Sequence, residues 1–157
     1  MDRRLNSVPT VNFAPARTGR FLRRLLMGWV LACGPFTLAA QELIVNEAAP
    51  QQSMSRNEAR LCFTMRLPTW ENRIPVKVFV LPDDHPVHRQ FTKSILGLFP
   101  YQLRQVWDRQ IFSGTGQAPI TVATEQEMIE RVATTPGGIG YVGSGANHPQ
   151  VRVLEVR

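Results

Sequence analysis

Four residues with coordinating or titratable side chains follow a nearly continuous apolar stretch in the middle of the chain. Asp83, Asp84, His85 and His88 come directly after the segment 76–81, which reads VKVFVL. Carboxylates and imidazoles can bind a divalent metal or transfer protons, and the two histidines have a spacing that could place them on one helix face. The pattern contains no third, separated metal ligand and places no partner nucleophile, so metal binding and catalysis are the weaker interpretations.

The same group also has a purely structural interpretation. Asp83 or Asp84 could cap the helix that follows, with the histidines in water at its first turn. Ligands of open α/β sheets nevertheless gather beyond the carboxyl ends of strands. We therefore predict that residues 83–88 form the functional edge of the protein.

A second polar group lies in the loop 113–119, which reads SGTGQAP. Ser113 and Thr115 offer hydroxyl groups, and the neighbouring glycines allow a backbone nest that binds anions. The loop leads to Pro119 instead of starting a helix, so a chance resemblance to an anion loop is the favoured interpretation. The chain has no P-loop lysine, dinucleotide fingerprint or nucleophile elbow, and we predict no cofactor.

Strands and helices are predicted to alternate around these two groups. The segment 76–81 has the pattern of a central strand. Further strands are predicted at 43–45, 120–122, 139–142 and 151–156, and helices at 56–65, 86–96, 100–111 and 124–132. Capping boxes at Ser55–Glu58 and Thr124–Glu127 indicate two of the helix starts. This order predicts an α/β sandwich with a largely parallel or mixed sheet.

Packing roles are predicted for several other residues. Gly137 and Gly138 are typical of a tight helix-to-strand turn with close backbone packing. Cys62 lies among apolar residues and is predicted to be a buried small hydrophobe. The helix that starts at Pro100 is predicted to face inward through Leu103, Val106, Trp107 and Ile111.

Residues 1–40 have the layout of a secretion signal. A basic region that contains Arg23 and Arg24 precedes an apolar stretch at 25–38, and the small residues Ala39 and Ala40 follow it. We predict cleavage after Ala40 and export to the periplasm. The alternative is lipid attachment at Cys33, which would tether the product to a membrane.

Removal of this segment changes the charge of the protein. The whole chain has a formal net charge of +6, but residues 1–40 hold six arginines and one aspartate, which leaves 12 basic and 11 acidic groups in residues 41–157. A net charge of +1 with no basic run argues against nucleic-acid binding. The remaining 117 residues suffice for one domain. Cys62 is the only cysteine among them, so they cannot form an intramolecular disulfide.

Two segments resemble a known family. Residues 63–70 read F-x-M-x-L-x-x-W, and residues 136–141 read P-G-G-I-G-Y. They resemble the F-x-G-x-I-x-x-W and P-G-x-I-G-Y segments of phosphate-type substrate-binding proteins of ABC transporters, with Met65 in place of a glycine. The resemblance covers about residues 41–145. It implies a single-lobe version of the periplasmic-binding fold, a three-layer sandwich, in a family whose full members are two-lobed clamps that close on an anion.

The ligand loop departs from the pattern of that family. Where the family has R-S-D-G-S-G-T after its central strand, this chain has residues 81–87, L-P-D-D-H-P-V, and only Asp83 matches. The arginine and the hydroxyls that would donate to phosphate are missing, and Asp84 adds a negative charge. We therefore expect weak phosphate binding or none, unless Arg66, Arg73 or the 113–116 loop compensates.

Three functions follow from these observations. The first is a non-enzymatic, exported, solute-binding-like protein with Asp83, Asp84, His85, His88, Ser113 and Thr115 as candidate ligand residues. Its ligand would be a small anion or another solute, and its partner a membrane transporter. The second is a ligand-free interaction or sensor-accessory module in the periplasm. The third, and weakest, is a small metal-dependent enzyme.

Overall fold

The computed structural model describes residues 41–145 and 148–157. The predicted secretion signal at 1–40 and the alternative lipid attachment at Cys33 lie outside the described residues and stay predictions. The strands are β1 Gln41–Val45, β2 Ser53–Met54, β3 Lys77–Val80, β4 Ile120–Thr121, β5 Gly138–Gly143 and β6 Arg152–Val156. The helices are α1 Arg56–Phe63, α2 Pro86–Phe91, α3 Pro100–Phe112 and α4 Glu125–Thr134, and a π-helical segment at Thr92–Leu96 continues α2.

The six described strands form one mixed sheet in the order β2-β6-β1-β5-β3-β4. β1 pairs antiparallel with β5 and β6, whereas β3 pairs parallel with both β5 and β4. β3 is therefore an interior strand, as its nearly continuous apolar sequence predicted. The mixed α/β class is confirmed.

Helices cover both faces of the sheet. On one face, a side chain at Gly140 of β5 would meet the Met128 sulfur of α4 at 2.5 Å, so the bare glycine lets α4 pack directly on the strand. On the other face, the neighbouring residue Tyr141 stacks on Phe91 and lies 5.8 Å from the ring of Phe63. Side chains alternate along a strand, so the sheet is the middle of three layers.

The turn before β5 brings two segments into close contact through Gly137. Its φ is +77°, and its carbonyl accepts hydrogen bonds from the Trp70 indole N–H at 2.9 Å and from the Lys77 N–H at 3.0 Å. A Cβ atom at this position would overlap the carbonyl oxygen of Pro75 and lie 2.8 Å from Ile74. The prediction of a tight turn with close backbone packing is confirmed.

Helix boundaries agree with the predictions to within a few residues. The Ser55–Glu58 capping box is complete, but α1 ends at Phe63 because Thr64 leaves the helical conformation with a ψ of 10° and Met65 takes a φ of +60°. The second capping box, Thr124–Glu127, forms one of its two hydrogen bonds. Thr124 accepts from the Glu127 N–H, whereas the Glu127 carboxylate accepts from the N–H of residue 123.

The inward stripe of α3 is shorter than predicted. Leu103 and Trp107 are buried, and the Trp107 indole N–H donates to the Phe63 carbonyl at 2.7 Å. Ile111 lies four residues after Trp107 on the same stripe, yet it is 44% exposed in the last turn. The prediction for Ile111 was wrong because periodicity gives the direction of a side chain and does not say whether another element covers it.

Candidate functional site

The segment after β3 turns sharply into α2 and carries the predicted site residues. His85 is the residue before the helix, and its Nδ1 accepts from the Val87 N–H at 3.3 Å. Pro86 takes the first helical position, where its missing N–H costs little. The cap is therefore His85, and the expectation that Asp83 or Asp84 caps the helix was wrong.

His88 points into the core of the protein. Its side chain is fully buried, and its Nδ1 contacts the hydroxyl of Tyr141. That hydroxyl already accepts from the Leu81 N–H at 2.9 Å, so its own proton is available to donate to Nδ1. This arrangement assigns the imidazole proton to Nε2. The expectation of two solvated histidines was wrong for His88.

The Nε2 atom of His88 faces Asp83. It lies 3.7 Å from Oδ1, beyond hydrogen-bond distance, and has no hydrogen-bond partner among the described residues. Burial lowers the pKa of His88 to about 4, although the charge of Asp83 opposes this shift and Arg104 and His85 add to it. His88 is therefore neutral near pH 7 and presents an unused N–H to the surface carboxylate.

Arg104 of α3 completes this edge. Its Nη2 donates to Asp83 Oδ1 at 2.9 Å and its Nε donates to Oδ2 at 3.2 Å, while its guanidinium carbon lies 5.1 Å from the ring centre of Trp107. Two parallel hydrogen bonds fix both side chains in one plane. Sequence reasoning missed Arg104. The sequence gives one indication of its role, which is that Arg104 lies between the inward-facing residues Leu103 and Trp107 and so borders the buried face of the helix.

The structure separates the six predicted ligand residues into two groups. Asp83, Asp84, His85 and His88 lie together at the carboxyl end of β3, where Arg89 also donates to the Asp84 carbonyl at 2.9 Å. The loop with Ser113 and Thr115 instead borders a cavity shared with the residues that begin β3. The two hydroxyls bond each other at 2.7 Å, and Thr115 donates to the side chain of Gln110.

The arrangement at the carboxyl end of β3, which we call the β3 edge, consists of Asp83, His88 and Arg104. Burial raises the pKa of the Tyr141 phenol, which therefore stays protonated near pH 7. Within the described ranges, no three His, Cys, Asp or Glu side chains are grouped to hold a metal ion, and none of the described helices is long and apolar enough to cross a bilayer. The edge offers a carboxylate and a guanidinium to a solute, and the buried His88 Nε2 lies behind the carboxylate.

Loss of His88 should change how stability depends on pH. Its pKa is lower in the folded protein (about 4) than its ordinary value of 6.5, so the unfolded chain binds the extra proton between these pH values. The contribution of neutral His88 is complete above about pH 6.5 and is lost as pH falls to about 4, an effect on the order of 3 kcal/mol.

Urea unfolding at a series of pH values tests this prediction. We expect the loss of stability between pH 6.5 and 4 to become shallower in His88→Gln and to persist in the control His85→Gln. An unchanged pH profile in His88→Gln would contradict the assignment of a buried neutral imidazole.

Comparisons with known proteins find a likeness at the level of fold. No protein-family model and no curated protein sequence matches the chain. The fold is similar to an ABC-type phosphate transport receptor from Vibrio cholerae, with a TM-score of 0.58 and 12% identity over 75% of this chain and 46% of that one. PstS from Borrelia burgdorferi gives a TM-score of 0.59 and 14% identity over 76% of this chain and 47% of the other.

A third similar structure was determined with phosphate bound. It is a putative phosphate ABC transporter substrate-binding protein from Clostridium perfringens, with a TM-score of 0.58 and 14% identity over 75% of this chain and 45% of that chain. The present chain thus spans slightly less than half the length of these structures. The three-layer domain matches the fold of about one half of such a protein.

Proposed function

We propose that the protein is an exported, non-enzymatic, solute-binding-like module that takes a small polar solute at the β3 edge. The observation that carries this proposal is the half-exposed Asp83–Arg104 pair, which lies in front of the buried His88 Nε2, an atom with no hydrogen-bond partner among the described residues. A buried donor without an acceptor is unfavourable. A solute that moves the Asp83 carboxylate would open this N–H and supply the missing acceptor.

The structural neighbours support this choice of function class. One of them is an ABC-type phosphate transport receptor, and another is a putative phosphate ABC transporter substrate-binding protein. The candidate edge lies where ligands of α/β sheets gather, beyond the carboxyl end of a strand. A membrane transporter or sensor is the partner that this class implies, and export follows from the predicted signal at 1–40.

The charges of the β3 edge disfavour inorganic phosphate. Arg104 directs two of its N–H groups at Asp83, so a phosphate ion would have to displace the carboxylate and lie beside its negative charge. Arg66, Arg73 and the 113–116 loop are not among the described contacts of the β3 edge. We therefore propose a solute that carries both donors and acceptors, because such a solute can pair with Asp83 and Arg104 together.

Calorimetric titration of the protein tests the proposal. The probes are phosphate, sulfate, Zn²⁺ and a zwitterionic amino acid such as glycine. We expect millimolar or weaker binding of phosphate and sulfate, no stoichiometric binding of Zn²⁺, and stronger binding of the zwitterion that is lost in Asp83→Ala. Micromolar phosphate binding would contradict the role given to the ion pair, and stoichiometric Zn²⁺ binding would favour the enzyme hypothesis.

The second candidate is a ligand-free interaction module. It is favoured by the large apolar side chains on the surface of the described residues, above all Phe112, which is 91% exposed, and Tyr101, which is 62% exposed. Large exposed apolar side chains are enriched at protein interfaces. Absence of heat with every probe above, in a folded protein, would support this candidate over the first.

A further inference from the structure

A separate cavity lies at the other end of β3, beside the residues that begin the strand. Its volume is about 300 Å³, at the lower end of the range of small-molecule sites. Residues Cys62, Met65 and Val78 are part of its wall, and the segment Thr115–Gln117 and Lys77 also border it. The cavity shares no lining residue with the β3 edge.

The apolar wall of this cavity is uncharged. Cys62 is fully buried, and burial together with the nearby charge of Glu58 raises the pKa of its thiol to about 12. The thiol is therefore protonated near pH 7 and acts as a small apolar group. Val78, another lining residue, is also buried, so this part of the cavity suits a hydrocarbon group.

The backbone around Met65 and Gly116 keeps the wall in place. Met65 has a φ of +60°, a conformation that is uncommon for a residue with a side chain. A Cβ atom at Gly116 would lie 2.9 Å from the Met65 sulfur, so the glycine leaves room for this side chain. The positive φ of Met65 and the missing side chain at Gly116 together determine where the Met65 side chain lies in the cavity wall.

Lys77 gives the cavity its charge. Among the described residues that line the cavity, it is the one charged side chain, and no carboxylate is present. Its ammonium donates to Gln117 Oε1 at 3.1 Å, which uses one of its three N–H groups. An ammonium group beside an uncharged apolar wall is complementary to a molecule with an anionic head and an apolar body.

We propose that this cavity binds a small amphiphilic carboxylate, such as a medium-chain fatty acid. The hydrocarbon packs against Met65, Leu67 and Val78, in front of the buried Cys62, and the carboxylate accepts hydrogen bonds from Lys77. This site is independent of the proposed function, because its residues lie at the other end of β3. Binding here and binding at the β3 edge can therefore fail separately.

Calorimetric and NMR titrations of the purified protein with octanoate, octanol and acetate test this site. We expect octanoate to bind with a Kd of roughly 10–1,000 µM and acetate to bind far more weakly. Lys77→Met should weaken octanoate binding about three- to tenfold and change octanol binding little. The matched control Lys93→Met removes an exposed lysine elsewhere and should change neither.

A second variant tests the site without altering the charge. Ala118 lines the cavity and is exposed to solvent, so Ala118→Trp should fill the opening, leave the fold intact and abolish octanoate binding. Failure of octanoate to bind at millimolar concentration would overturn the proposal. Octanoate binding that survives both Lys77→Met and Ala118→Trp would also overturn it.

Discussion

Replacing Gly137 with alanine is expected to lower the free energy of unfolding by about 3 kcal/mol or more. The residue has a φ of +77°, and an added Cβ would overlap the Pro75 carbonyl oxygen. The positive φ alone costs an alanine about 1–2 kcal/mol, and displacement of the turn adds strain. A shift of the turn would also disturb the hydrogen bonds that Trp70 and Lys77 make to the Gly137 carbonyl.

Gly97→Ala is the matched control for this experiment. Gly97 has a similar φ of +64°, but no atom lies within 4 Å of an added Cβ. We expect a loss of about 1–2 kcal/mol, from the positive φ alone, measured by chemical denaturation. Equal losses in the two variants would show that the close contact with residues 74–75 does not constrain this turn.

Replacing Val80 with aspartate is expected to cost about 4 kcal/mol or more and to reduce the yield of folded protein. Val80 is 1% exposed in β3, an interior strand that pairs with both β5 and β4. A carboxylate at this position would be buried without a neighbouring cation or hydrogen-bond donor. Burial of an unpaired charge is among the most destabilising changes at a core position.

The register partner of Val80 provides the control. Thr121 lies opposite Val80 on β4 and is exposed, so Thr121→Asp introduces the same charge at the same level of the sheet. We expect a change of about 1 kcal/mol or less in this variant. Thermal unfolding of both proteins decides the matter, and similar melting temperatures would contradict the interior position of β3.

Local sequence patterns were sufficient to predict much of the fold. The apolar run at 76–81 predicted the interior strand because both faces of such a strand must be buried. The Ser55–Glu58 box predicted the start of α1 because its hydrogen bonds join residues only three apart. The tight turn at Gly137 was predictable for the same reason, because its φ of +77° is a local property that glycine adopts readily.

The candidate site depends on contacts between distant residues, and most of it could not be predicted. Arg104 joins Asp83 across 21 residues, and Tyr141 reaches His88 across 53. Spacing placed His88 near an acidic loop but could not show that its ring turns inward. The hydroxyls of Ser113 and Thr115 have suitable chemistry for an anion, yet the course of the chain places them at the other end of β3.

The pairing of Asp83 with Arg104 is the central feature of the proposed edge, and phosphate titration of Asp83→Asn tests it most directly. This change removes the carboxylate and frees the Arg104 guanidinium beside the His88 N–H. Asp108→Asn is the matched control for the loss of one negative charge, because Asp108 is exposed and lies on the same helix as Arg104. We predict that phosphate binds the wild-type protein at millimolar strength or weaker, binds Asp83→Asn at least about tenfold more tightly, and is unaffected by Asp108→Asn. Micromolar phosphate binding by the wild-type protein, or no gain in Asp83→Asn, would contradict the β3 edge as a solute site governed by this ion pair.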